Sequence, residues 1–168
     1  MEIAEKLREE RGEVTLHMAV ILMVGMLLFA AAMQVHHVYA VRDMAAEKTN
    51  EAVLAVAASN VPEIYRGVRE SDGTARRYNG GAWGHAVSTT AVLEALGTSL
   101  GAVPRGDGLL VEGSFQINNL HTTFVNMDGD NLNFTTTMEV VIPLTLGGGV
   151  LPPIHSSLEV KTTYEPKF

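Results

Sequence analysis

Residues 14–35 contain no Lys, Arg, Asp or Glu and follow directly on Arg11-Gly12-Glu13. As an α-helix this run is about 33 Å long, enough to cross a bilayer's hydrocarbon core. A soluble core helix rarely needs so long an uncharged stretch, so the run points to a membrane-inserted or exported chain. A secretory signal peptide has a basic start, an apolar core of about 7–15 residues and a small-residue cleavage site. Ala30-Ala31-Ala32 and Val38-Tyr39-Ala40 mimic such a site, but the run is too long. The segment before it also mixes Glu2, Glu5, Glu9 and Glu10 with Lys6, Arg8 and Arg11. A retained single-pass helix is the expectation. Lys6, Arg8 and Arg11 on the near side, against Arg42 and Lys48 on the far side, favour a cytoplasmic N-terminus and an extracytoplasmic C-terminal domain.

The chain has 168 residues, room for that helix and one further domain of roughly 100 residues. Its net charge of −7 comes without a Lys/Arg cluster, which argues against a nucleic-acid partner because phosphates would be repelled. With no cysteine, disulfides, thiolate catalysis and cysteine-ligated metals are excluded.

From Met33 to Ser59 no Gly or Pro occurs. Val35, Val38, Val41 and Ala45 recur at helical spacing, then Ala52, Val53 and Val56, with Arg42, Glu47, Lys48 and Glu51 opposite. The pattern predicts one helix from Val14 to about Ser59, roughly 70 Å long. An interruption is expected at Ser59-Asn60-Val61-Pro62, with another turn or two after it, and a surface loop from Ser71 to Gly81. Ser88-Thr89-Thr90 caps a short helix ending near Leu100, with Val92, Leu93, Leu96 and Leu100 on one side. Glu94 is placed in its first turns, where it would complement the helix dipole. Gly101 and then Pro104-Arg105-Gly106-Asp107-Gly108 terminate that helix.

Beyond Leu109 the apolar period becomes 2. Even positions from Leu132 to Ile142 are apolar or Thr, and Ile154, Leu158, Val160 and Tyr164 alternate with His155, Glu159, Lys161 and Glu165. Phe115 and Ile117 start a strand on odd positions that Leu120 and Phe124 continue on even ones. This slip at Asn118-Asn119 predicts a β-bulge or a break. A hairpin turn is expected at residues 126–131, and a longer connection at Gly147-Gly148-Gly149 and Pro152-Pro153. The fold class is α+β: a long membrane-spanning helix with an amphipathic extension, a short second helix and an antiparallel β-meander of three to four strands. One sheet face is buried, with the long helix as its cover.

Candidate chemistry is sparse. Gln34, His36 and His37 include two metal-binding side chains, but adjacent histidines point about 100° apart on a helix, so no metal site is expected. Asp128-Gly129-Asp130-Asn131 lacks the length and terminal Glu of a calcium loop. His85, Ser88 and Trp83 form no nucleophile elbow or triad pattern, and Gly147-Gly148-Gly149 lacks the Lys-Ser/Thr of a phosphate loop. The expectation is a protein that is not an enzyme and uses no cofactor.

The sharpest local signal is Gly12-Glu13-Val14-Thr15-Leu16-His17-Met18. A polar leader ending in Gly and followed at once by a membrane helix resembles the prepilin signal of type IV pilins and their relatives. The overall layout is similar to Tad-type minor pilins and to small pseudopilin-like proteins of Gram-positive conjugative and secretion systems. The likeness at residue level covers residues 11–42. It implies cleavage between Gly12 and Glu13 by a prepilin-type peptidase, then lateral packing of helices into an assembly that could become an extracellular filament. The family usually has Glu at the fifth position after cleavage, where this chain has His17. Two readings of His17 stand, a functional substitute pairing with a neighbour's amine or a solvated interfacial residue. Gly12 equally has a plain reading, as the juncture before a membrane helix.

The chain thus divides into a leader at 1–12, a membrane helix at 13–35, an amphipathic extension at 36–60 and an exported domain at 61–168. His17, Ala19, Gly25, Ala30, Ala31 and Ala32 are the candidate helix-packing positions, since close backbone approach must drive association in lipid. The expected function is a pilin-like or pseudopilin-like subunit, partnered by the membrane, by copies of itself or by other pilin-like subunits. The alternative is a single-pass membrane-anchored extracytoplasmic binding module, and the third reading a secreted hydrolase.

Overall fold

The computed structural model describes the backbone of residues 2–70, 87–128, 131–146 and 149–165, and the side chains of 14–60, 87–126, 131–144 and 151–165. The expected surface loop with Trp83 and His85 lies outside the described residues, as do the calcium-like turn's Gly129 and Asp130, and Gly147-Gly148.

Helix α1 runs unbroken over Glu2–Glu70, 69 residues, about 104 Å at the standard rise. It is longer at both ends than its sequence pattern suggests, and the interruption expected at 59–62 is absent. Pro62 lacks an N–H and so withdraws the bond to the Ala58 carbonyl, without ending the helix. One turn earlier, Ser59 Oγ and Asn60 Nδ2 both donate to the Val56 carbonyl, at 2.9 and 2.8 Å. Helix α2 spans Thr89–Leu100. Ser88 caps it, its Oγ accepting from Ala91 N at 3.2 Å, and Gly101 closes it at φ 60° with backbone bonds to Gly97 and Thr98. Glu94 lies past the first turn, which holds no acidic residue, so its dipole role does not apply.

Five antiparallel strands follow in sequential order, β1 Val103–Arg105, β2 Gly108–Val111, β3 Phe115–Asp128, β4 Asn131–Leu146 and β5 Gly149–Tyr164. The three to four strands expected become five because the segment read as a helix terminator forms a hairpin. Arg105 pairs with Gly108 across Gly106-Asp107, and Gly106 adopts φ 60°. Strands this short show no alternation in sequence. The slip at Asn118-Asn119 is a bulge: Asn118 pairs with Glu139 and His121 with Thr137, leaving two β3 residues opposite Met138. Asn119 takes φ 52° there, and the extra residue returns Leu120 to the core face.

Two connections are tighter than expected. β3 and β4 pair as far as Asp128 with Asn131, and β4 and β5 as far as Leu146 with Gly149. Pro152-Pro153 therefore lies inside edge strand β5. There it faces Pro143 across a register shift between Ile142 and Leu144, and edges and bulges are where strand prolines are tolerated.

Both helices cover one face of the sheet, α1 over β4 and β5, α2 over β2 and β3. Leu132, Phe134, Thr136, Met138, Val140 and Ile142 of β4 are all buried, as their even numbering predicts. On β5, Leu158, Val160 and Thr162 are buried, whereas Ile154, expected in the core, is 37% exposed. α1 contributes Val41, Ala45, Ala52, Val53, Val56 and Ala57 to this core, with Thr49 buried on the same helix. Val35, assigned to the same stripe by spacing, stays exposed at 56%.

Candidate functional site: the unpacked half of α1

α1 changes environment at one place. From Val41 onward one side of it is buried in the head, and Val38 is half-buried against the same core. Before that point its apolar side chains have no cover. Ile21, Leu22, Met23 and Val24 are 66, 58, 64 and 49% exposed, and four consecutive positions about 100° apart span the whole circumference of the helix. This is the one stretch among the described residues long and apolar enough to cross a membrane, and none of its apolar window is buried. A helix apolar all round and bare on every side is suited to lipid rather than water.

His17, Ala19, Gly25, Ala31 and Ala32 are all exposed, and Ala30 is half-buried. Helical geometry does not gather them on one face. Gly25 and Ala32 lie on one side, Ala19 and Ala30 on a second, and Ala31 and His17 on a third. A Cβ added at Gly25 would meet nothing within 4 Å, so that position is open to a neighbouring backbone. Gly12 and Glu13 fall within the helical backbone of α1, and their side chains lie outside the described residues.

Above this segment, His36, His37 and Tyr39 are exposed and Arg42 is half-buried. Among the described residues no three His, Asp or Glu side chains are grouped to hold a metal. On the exposed side of α1, Lys48 Nζ donates to Glu51 Oε2 at 2.6 Å, and that hydrogen bond, reinforced by the carboxylate's charge, raises the Lys48 pKa.

The outer sheet face carries a polar cluster that sequence reasoning missed. His155 Nδ1 lies 2.7 Å from Glu139 Oε1, and Asn119 Nδ2 donates to Glu139 Oε2 at 3.3 Å. Strand alternation could have put Glu139 and His155 on one face, but their proximity depends on register. Ser157 is paired opposite Glu139, and no hydrogen bond joins it to His155 among the described residues. Compared with protein-family models, curated proteins and solved structures, the chain matches none of them.

Proposed function

We propose that the chain is a structural pilin-like or pseudopilin-like subunit of a pilus, conjugation or secretion apparatus, assembling through residues 14–35. The observation that carries this reading is the division of α1: one half forms part of the head's core, while the other is apolar and bare on all sides. In this reading the N-terminus is cytoplasmic, the head lies outside, and a prepilin-type peptidase cleaves between Gly12 and Glu13. In lipid, helices gain no hydrophobic drive to associate, and small residues permit the close packing that replaces it. Three directions of small residues suit a helix surrounded by several neighbours better than one in a simple pair.

Mass spectrometry of the native N-terminus tests the proposal. A chain beginning at Glu13 supports it; one beginning at Met33 or Val41 has lost the packing helix and contradicts it. The alternative, a membrane-anchored binding module, draws on the open polar outer face of the sheet. It predicts an intact Met1 end and a helix that does not cross-link to its neighbours.

A further inference from the structure

We infer that the head rests directly on the lipid headgroups and that Arg42 is its contact to their phosphates. The inference depends on residues 14–35 being the membrane span, as proposed above. Val38 already packs against the head's core and Val41 is 3% exposed. They lie about 5 and 9 Å beyond Val35 along the helix. The headgroup layer adds roughly 5–7 Å on each side of the hydrocarbon core, so the head begins within it and has no stalk.

Arg42 lies about 10 Å beyond Val35, and helical side chains tilt back toward the N-terminal end. Its guanidinium is thereby lowered toward phosphate level, as long basic side chains near a span do. On the helix it lies close in angle to Val38 and Ala45, the side facing the head, and it is half-buried. It makes no hydrogen bond or ion pair with a described residue. Asp43 projects about 100° away around the helix and does not neutralise it. A half-buried guanidinium with no partner among the described residues, placed at headgroup depth, matches a lipid phosphate in charge. Tyr39, 58% exposed one turn below, fits the same interface through its apolar ring and polar tip.

The test uses the full chain. Vesicle flotation first establishes insertion, and native mass spectrometry then measures retention of phosphatidylglycerol and of phosphatidylcholine. Arg42→Gln is expected to insert as the wild type does but to lose about fivefold in phosphatidylglycerol retention, with phosphatidylcholine little changed. Arg42→Lys should keep most of the preference, and millimolar inorganic phosphate should not displace the lipid. Equal retention by Arg42→Gln and wild type, or displacement by inorganic phosphate, overturns the phosphate contact alone. Failure of the wild type to float overturns the membrane reading as well.

Discussion

The Thr162 hydroxyl is buried and has no hydrogen-bond partner among the described residues, whereas Thr122 and Thr136 share a bond of 3.0 Å and Thr49 donates to Met138 Sδ at 3.6 Å. An unsatisfied buried hydroxyl is a net cost that an apolar isostere removes. Thr162→Val should therefore stabilise the head by about 1 kcal/mol, read as a higher midpoint in chemical denaturation of the detergent-solubilised protein. An unchanged or lower midpoint would show that the hydroxyl is satisfied. Gly108 is constrained in the opposite sense, because a Cβ there would run into the Ile117 carbonyl oxygen. Gly108→Ala should cost about 2 kcal/mol or more through this backbone clash, measured in the same assay. Neither site is readable from sequence. Buried Thr162 continues an alternating pattern like any strand threonine, and the need for Gly108 arises only where β2 meets β3.

At the scale of elements, the β3 bulge and the α2 cap make the most direct tests. Deleting Asn119 would remove the extra residue and leave Phe115, Ile117, Leu120, Thr122 and Phe124 in strict alternation on the core face, with Leu120 alone opposite Met138. The Phe124 and Phe134 rings, edge-to-face with centroids 5.6 Å apart, would keep their contact. Retention of cooperative unfolding in the deletion variant is the expected result; loss of it would mean that the strand needs the bulge itself and not only the alternation it preserves. Ser88→Ala removes the α2 cap and should cost about 1 kcal/mol, measured by denaturation. The even-numbered face of β4 and the Ser88 cap were legible because each is a local pattern with one geometric reading, whereas the phase change at Asn118-Asn119 was legible as a place but left a bulge and a strand break both open. β1 and β2 were not, since three and four residues cannot display a period. The tight β4–β5 junction was hidden by Pro143, Pro152 and Pro153, which suggest a loop unless one knows that β5 is an edge strand and that a register shift brings the three together.

For the whole molecule, one continuous helix links the bare apolar segment to the folded head, so in the proposed membrane arrangement α1 sets how far the head stands from the bilayer. The sequence made the apolar run plain but not its arrangement of small residues, because Ala19, Gly25, Ala30, Ala31 and Ala32 read as one group until placed around a helix. The absence of cysteine makes a disulfide scan unambiguous, since each introduced thiol is the molecule's only one. Single cysteines placed along residues 18–32 in membranes should yield cross-linked species whose efficiency repeats with the helical period, strongest on the faces of Gly25 and Ala19. Cysteines on the outer sheet face, at positions such as 121 or 161, should give little product. Uniformly absent cross-links along residues 18–32 in membranes that contain the protein would contradict lateral assembly through α1.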